Sequence, residues 1–184
     1  MSRPRLTRRD LVLSVAVALV AATLAGVGAA AVLGDGDGDG EASDLTLATV
    51  TAAPGHEYPR LDGTRTSIAE YRGRAVVVNF FGSWCAPCKR EMPAFERVHQ
   101  DLGDEVAFLG LNVRDPVDRA RALVDTTGVT YDIGRDPSGD LAREWGVTTF
   151  PTTAFVAPDG SVVRVHSGAL TEGELRRLVV EELG

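Results

Sequence analysis

The chain has 184 residues, of which 44% are hydrophobic and 24% are charged, a balance typical of globular proteins and too apolar for a disordered one. Its formal net charge is −7, from 19 basic and 26 acidic residues, and residues 45–184 contain no cluster of Lys and Arg. This composition argues against nucleic acid as a partner.

The N-terminus has the pattern of a membrane-targeting segment. Residues 1–10 form a basic region with four arginines, and residues 11–33 contain no charged side chain. As a helix, the uncharged run would reach roughly 35 Å, enough to cross a hydrocarbon core of about 30 Å. Because basic flanks stay in the cytoplasm, this pattern predicts a single-pass anchor in the cell membrane with the remaining chain on the extracytoplasmic side.

A second interpretation of the same segment stays open. The stretch "TRRDLVL" is similar to a twin-arginine export signal, and the small residues at 29–31 could be cut by a signal peptidase, which would give a secreted protein. Both interpretations place the remaining chain outside the cytoplasm. Residues 34–44, which begin "GDGDGDGE", are predicted to form a flexible acidic linker.

Residues 45–184 are predicted to form one domain in which strands and helices alternate. In chain order we predict a strand at 45–50, a hairpin at 59–68, a buried strand at 75–81, a helix at 88–102, a buried strand at 106–113, a helix from 116 to 128, a short strand at 130–133, a helix at 137–145, a hairpin of 152–158 with 161–168, and a helix at 171–183. Thr171 caps the last helix, with Glu174 in the capping-box position. This order predicts an α/β fold whose sheet is parallel in the middle and antiparallel at one edge.

The only two cysteines, Cys85 and Cys88, follow the predicted strand at 75–81 within "FFGSWCAPCKREMP". A structural disulfide is one hypothesis, but a loop of four residues contributes only roughly 2 kcal/mol. A metal site is another, but it needs two further ligands. His99 would lie about 16 Å along the predicted helix from Cys88, too far to complete such a site.

A redox pair fits the placement of the two cysteines best. Cys85 would lie at the start of the predicted helix, where unpaired backbone N–H groups and the helix dipole favour a thiolate. Such positions lower a cysteine pKa from about 8.5 into a range of roughly 3.5 to 7.5. Cys88, one turn further along, would be shielded and within reach of a mixed disulfide on Cys85. This interpretation makes Cys85 the nucleophile and Cys88 the resolving thiol.

Two spaced motifs, "WCAPCK" and the later "FPTTAFVAPDG", resemble the TlpA/ResA/DsbE-like extracytoplasmic family of the thioredoxin fold, over roughly residues 45–183. The resemblance implies a mixed central sheet flanked by helices, with an N-terminal β-hairpin extension and a central α/β insertion at 116–133. It also implies a thiol–disulfide oxidoreductase that uses a redox-active disulfide of Cys85 with Cys88, and neither a cofactor nor a metal.

The resemblance further implies a docking surface for substrate polypeptides. Pro151 falls at the family's cis-proline position, opposite the cysteines. The backbone beside it pairs with the substrate as an added strand, so Phe150 and Thr152 would flank the docking groove. Trp84 would contribute to the same surface. A core position for Phe150 and a purely structural role for Trp84 stay open as alternatives.

Glu91 is the third candidate in the catalytic group. Thioredoxin has a buried, proton-moving aspartate where this chain has Asn79. The TlpA/ResA/DsbE-like family instead has a glutamate three residues after the second cysteine, and this position is Glu91 here. The resemblance implies that Glu91 tunes the pKa values of both cysteines. The alternative is an exposed glutamate on the helix surface.

Together these features predict an extracytoplasmic enzyme that reduces disulfides in exported proteins. The resemblance suggests apocytochrome c as a substrate and a membrane protein as electron donor or acceptor, and we expect a monomer. The alternatives are a disulfide-forming oxidase on the same scaffold, a thiol peroxidase and a non-enzymatic binding module. The peroxidase is disfavoured because "FFGSWC" lacks the Pro-x-x-x-Thr-x-x-Cys setting of a peroxidatic cysteine.

Overall fold

The computed structural model describes residues 56–184. The basic region, the anchor or signal, the acidic linker and the strand predicted at 45–50 lie outside the described residues and stay predictions. Within residues 56–184, no helix combines the length and the apolar character that a membrane crossing requires.

A short hairpin precedes the main sheet, as the sequence predicts. Its two antiparallel strands are β1 (Glu57–Pro59) and β2 (Arg65–Ser67). Gly63 in the turn has a φ of +89°, a conformation that glycine adopts without steric cost. An antiparallel bridge from Arg60 to Gly134 attaches the hairpin to the edge of the main sheet. The hairpin therefore covers an edge whose backbone groups would otherwise be unpaired.

The main sheet has five strands in the order β5-β4-β3-β6-β7. In chain order they are β3 (Val76–Phe81), β4 (Ala107–Val113), β5 (Asp132–Asp136), β6 (Thr152–Val156) and β7 (Val162–Ser167). β3 pairs in parallel with β4, and β4 with β5, whereas β6 is antiparallel to both β3 and β7. The predicted mixed sheet is confirmed. Every residue of β3 and β4 is buried, because helices or loops cover both faces.

Within residues 56–184, four α-helices flank the sheet: α1 (Ala86–Leu102), α2 (Val117–Thr127), α3 (Asp140–Glu144) and α4 (Glu172–Leu183). α1 and α4 pack on one face, where Phe95 and Leu175 belong to the same buried cluster as Phe81. On the other face, Trp145 packs against the ring of Phe80 in a second cluster. Since side chains alternate between the faces of a strand, β3 contributes to both clusters.

The predicted cap of the last helix is confirmed. Thr171 Oγ1 accepts a hydrogen bond from the Glu174 N–H at 3.3 Å, and the Thr171 N–H donates to Glu174 Oε2 at 2.8 Å. These reciprocal bonds satisfy backbone N–H groups that have no partner within the helix. α4 is thereby fixed at its start, close to the loop that follows β7.

Two predicted elements have the wrong bounds. The strand predicted at 130–133 lies at Asp132–Asp136, and the helix predicted at 137–145 covers only Asp140–Glu144. The reason is the side chain of Asp136, which accepts hydrogen bonds from the backbone N–H groups of Gly139 at 3.0 Å and Ala142 at 2.8 Å. These bonds form a turn directly after Asp136, so the helix begins only at Asp140.

Candidate active site around the Cys85–Cys88 disulfide

Cys85 and Cys88 form a disulfide at the start of α1, with their Cα atoms 5.3 Å apart. Cys85 is the N-cap of the helix, and its Sγ accepts a hydrogen bond from the Cys88 N–H at 3.2 Å. Cys88 is fully buried, whereas Cys85 is 5% exposed. Only Cys85 can therefore be reached by a second molecule, which is the arrangement that its predicted nucleophilic role requires.

The charge around Cys85 favours an ionised sulfur once the disulfide is reduced. The first turn of α1 contains no acidic residue, and its backbone N–H groups point towards the N-cap. Pro87 in this turn has no N–H and so removes one donor from the neighbourhood of the sulfurs, while the other first-turn N–H groups remain. We therefore expect the free Cys85 thiol to have a pKa below that of an ordinary cysteine.

An aromatic pair lies beside the disulfide. The side chain of Trp84 is 55% exposed, and its ring packs edge-on against Phe150 with 5.0 Å between centroids. Phe150 is partly buried and contacts both core clusters. It therefore packs against the core and at the same time lies behind the exposed indole. The exposed indole and the ring behind it form an apolar surface next to the reactive sulfur, as a docking role requires.

Gly82, which the sequence reasoning did not single out, determines where the indole can lie. A Cβ atom at this position would fall 2.5 Å from atoms of the Trp84 ring, much closer than any real contact. The indole thus packs directly over the Gly82 backbone. A glycine three residues before the first cysteine, followed closely by Trp, is the sequence signal that could have indicated this contact.

Replacing Gly82 by alanine is expected to displace the Trp84 ring and to weaken the docking of protein substrates. Trp side chains at interfaces contribute about 1–2 kcal/mol or more to the binding free energy. We therefore expect kcat/KM for a disulfide-bonded protein to fall about tenfold. Hydroxyethyl disulfide, which is too small to need the surface, should react at an unchanged rate. Gly173→Ala is the control, because a Cβ atom added there would meet no other atom within 4 Å. Equal losses for both substrates would contradict a docking role of Trp84.

The Phe150–Pro151 peptide bond is cis, and Pro151 immediately precedes β6. The Pro151 carbonyl accepts a hydrogen bond from the Gly168 N–H at 2.9 Å, which ties it to the loop after β7. Through the ring of Phe150, this peptide lies next to the Trp84 surface. The structure therefore brings Trp84, Phe150 and Pro151 together.

Thr152 is placed differently from its neighbours. It is 1% exposed, its hydroxyl donates to the Thr149 carbonyl at 2.8 Å, and its backbone pairs with Phe80 and Ser167 on either side. Its side chain thus has no surface to offer a docked polypeptide in this conformation. Thr152 supports the start of β6 behind the site.

Glu91 is buried and has two specific partners. It is 3% exposed, so the alternative of an exposed helix-surface glutamate is wrong. Oε1 accepts a hydrogen bond from the Asn79 side-chain amide at 2.9 Å, and Oε2 accepts one from the Leu170 N–H at 3.0 Å. Asn79 therefore does not replace the aspartate of thioredoxin as a proton carrier. It orients the carboxylate that lies one helical turn beyond Cys88.

Burial raises the pKa of Glu91 from 4.5 to about 7, although the hydrogen bonds from Asn79 and Leu170 oppose the shift. A carboxyl group with this pKa exchanges a proton readily at neutral pH. Residues three apart on a helix are neighbours, so Glu91 and Cys88 lie on the same buried side of α1. Glu91 can therefore take up or return a proton at the buried thiol.

Two of the histidines, His56 and His99, contact other side chains in the structure. His56 pairs with Glu144 at 3.0 Å, and His99 packs its ring against Phe108 and Tyr131. Within the part of the chain that the structure describes, no three His, Cys, Asp or Glu side chains come close enough together to hold a metal ion.

Comparisons with known proteins agree on one family. A model described as the AhpC/TSA family matches residues 50–165. The thioredoxin-like protein YneN of Bacillus subtilis is 30% identical over 128 residues, which cover 68% of this chain and 75% of YneN. The thiol-disulfide oxidoreductase ResA of Geobacillus thermodenitrificans is 30% identical over 134 residues, which cover 71% of this chain and 76% of ResA. The solved structure of MTB DsbF in mixed oxidised and reduced forms has a TM-score of 0.65 and 30% identity, and covers 68% of this chain and 93% of that one.

Proposed function

Since the chain belongs to the AhpC/TSA family and is a thiol–disulfide oxidoreductase, we propose that it reduces disulfides in exported proteins. The observation that carries the proposal is the reactive pair itself: Cys85, which is 5% exposed, caps α1, and Cys88 is fully buried one turn behind it. This asymmetry gives the two sulfurs separate roles, one for capture and one for release.

In the first step the Cys85 thiolate attacks one sulfur of the substrate disulfide. The substrate S–S bond breaks, a mixed disulfide forms on Cys85, and the departing substrate sulfur takes a proton to become a thiol. Trp84 and Phe150 hold the substrate segment against this sulfur. The first-turn N–H groups of α1 stabilise the thiolate before attack.

In the second step Cys88 attacks the Cys85 sulfur and releases the substrate. Burial disfavours the thiolate of Cys88, so its proton needs an acceptor nearby. Glu91, whose pKa is about 7, takes this proton and passes it on to the released substrate sulfur or to solvent. Two electrons have then moved from the enzyme dithiol to the substrate, and the enzyme is left as the Cys85–Cys88 disulfide.

The partners and the location are proposed from this chemistry and from the N-terminal pattern. An oxidised enzyme needs a source of two electrons, for which we propose a membrane protein that reduces Cys85 and Cys88 again. The uncharged run at 11–33 supports a membrane-anchored enzyme with its domain outside the cytoplasm. Exported apocytochrome c, with its cysteine pair, is the proposed substrate class.

Trapping of a mixed disulfide tests the capture step. In Cys88→Ser the second step cannot occur, so the full-length chain is expected to accumulate a covalent adduct on Cys85 that mass spectrometry identifies. Cys85→Ser is the control and should trap nothing. Adducts with cytochrome c apoproteins are the expected result, and adducts only with unrelated proteins would overturn that substrate class. If Cys88→Ser trapped no exported protein, the proposed function itself would be wrong.

The reduction potential tests the direction of transfer. A value near about −270 mV supports a reductase, whereas a value near about −120 mV would mean that the enzyme forms disulfides. The potential is measured by equilibration of the full-length chain with thiol–disulfide buffers. A peroxide consumption assay separates the peroxidase alternative, for which we expect no turnover above the uncatalysed rate.

A further inference from the structure

We propose that Asp115 is a positioning residue for the redox loop, which we define as residues 82–85. Asp115 follows β4 and is 5% exposed. Both oxygens of its carboxylate bind Ser83, which lies two residues before Cys85. No sequence motif points to this contact, because the two residues are 32 positions apart.

The contact consists of three hydrogen bonds to one carboxylate. Oδ2 accepts from the Ser83 backbone N–H at 2.6 Å and from the Asn112 side-chain amide at 2.9 Å. Oδ1 accepts from the Ser83 hydroxyl at 2.7 Å. Burial works against the charged form, but the bonds from Asn112 and Ser83, together with the positive charge of Arg119, hold the pKa of Asp115 below its usual range. The carboxylate is therefore ionised at neutral pH, and such bonds are the strong ones.

Besides the bonds to Asp115, the Cys85 carbonyl of the redox loop accepts a hydrogen bond from the Lys89 N–H at 3.3 Å, and the Trp84 ring packs against Phe150. The Cys85 N–H donates to the Gly82 carbonyl at 3.0 Å, a bond within the loop itself. In the oxidised state the disulfide also ties Cys85 to α1. Reduction breaks that tie. The two bonds from Ser83 to Asp115 do not depend on the disulfide, so they still hold the middle of the reduced loop when the Cys85 sulfur must stay over the first-turn N–H groups of α1.

Two variants of Asp115 distinguish the effect of loop position from the effect of the carboxylate charge. Asp115→Ala removes all three bonds. In Asp115→Asn the amide oxygen can take the place of Oδ2 and keep the bonds from Ser83 and Asn112. The amide nitrogen then takes the place of Oδ1, and the Ser83 hydroxyl can rotate to accept from it. Asn therefore preserves the attachment and removes the charge.

We expect Asp115→Ala to slow reduction of a substrate disulfide by about tenfold to a hundredfold, the scale of loss when a reacting group is misplaced. Its Cys85 alkylation profile should shift to higher pH, since the displaced thiolate loses the helix N–H groups. Asp115→Asn should restore most of the rate and the profile. The rate is measured with a disulfide-bonded protein substrate, and the alkylation profile with iodoacetamide over a range of pH, each on the reduced full-length chain.

Asp136→Ala is the matched control. Asp136 is buried to a similar extent, and its carboxylate accepts hydrogen bonds from two backbone N–H groups, but it holds the start of α3 instead of the redox loop. Its loss should lower the denaturation midpoint comparably and leave Cys85 alkylation unchanged. Similar alkylation profiles for Asp115→Ala and Asp136→Ala would overturn the proposal, as would an Asp115→Asn variant that reacts as slowly as Asp115→Ala. If Asp115→Ala does not fold, Ser83→Ala, which removes only the hydroxyl bond, must give a smaller shift in the same direction.

Discussion

Replacing Cys85 by serine is expected to reduce the rate of disulfide exchange by more than about a thousandfold, the scale on which enzymes lose turnover without their covalent nucleophile. Serine cannot form a mixed disulfide, and Cys88 cannot substitute for Cys85 because it is fully buried. The measurement is turnover with a disulfide-bonded protein substrate in the presence of a dithiol reductant.

Cys88→Ser distinguishes the two sulfurs. We expect it to lose turnover as well, because the mixed disulfide is not resolved, but to keep rapid alkylation of Cys85. Each variant also loses the disulfide, which for a loop of this size stabilises the fold by only about 2 kcal/mol. Thermal unfolding of both proteins should therefore still be cooperative. Substantial turnover by Cys85→Ser would contradict the assigned order of attack.

The sequence predicted the centre of the fold well because its signals are local. The apolar run of β3, the helical spacing of α1 and the capping box of α4 each lie within a few consecutive residues. The bounds of β5 and α3 were wrong, since the carboxylate of Asp136 sets both through hydrogen bonds across a turn. Nothing in the local pattern distinguishes that aspartate from a solvent-exposed one.

The features of the site also differ in how well local sequence patterns predict them. The positions of Cys85 and Cys88 follow from their placement at the junction of a buried strand and a helix. The burial of Glu91 depends on Asn79 and Leu170, which are 12 and 79 positions away in the chain. The hold of Asp115 on Ser83 likewise appears only in the folded chain. Long-range hydrogen bonds of this kind leave no periodic signal in the sequence.

Glu91→Gln is expected to raise the stability of the oxidised protein at neutral and alkaline pH. The pKa of Glu91 is about 7 in the folded protein, against an ordinary value of 4.5 for the unfolded chain. As pH rises between these values, the unfolded chain gives up the proton and the folded chain keeps it, so folding becomes less favourable. The full cost, reached above the folded pKa, is about 3 kcal/mol. Glutamine does not ionise and avoids this cost.

We therefore expect the difference in unfolding free energy between Glu91→Gln and the unaltered chain to grow by about 3 kcal/mol from about pH 4 to about pH 9, in favour of the variant. The measurement is urea denaturation across this range. Exchange activity should change in the opposite sense: the variant cannot accept the Cys88 proton, so its rate near neutral pH should fall about tenfold to a hundredfold. The step with an apparent pKa near 7 should also disappear from its pH profile.

Glu96→Gln on the same helix provides a control, because the pKa of Glu96 is shifted in the opposite direction to that of Glu91. Burial opposes ionisation of Glu96, but the hydrogen bonds from Thr130 and Gln100 outweigh it and lower the pKa of this carboxyl. Its charged form stabilises the fold above the unfolded pKa, and this contribution is lost only as pH falls through the lower folded value. Glu96→Gln should thus be destabilised by a constant amount between about pH 6 and about pH 9. A constant difference for Glu91→Gln over the same interval would mean that Glu91 is ionised throughout, and that it cannot serve as the proton acceptor for Cys88.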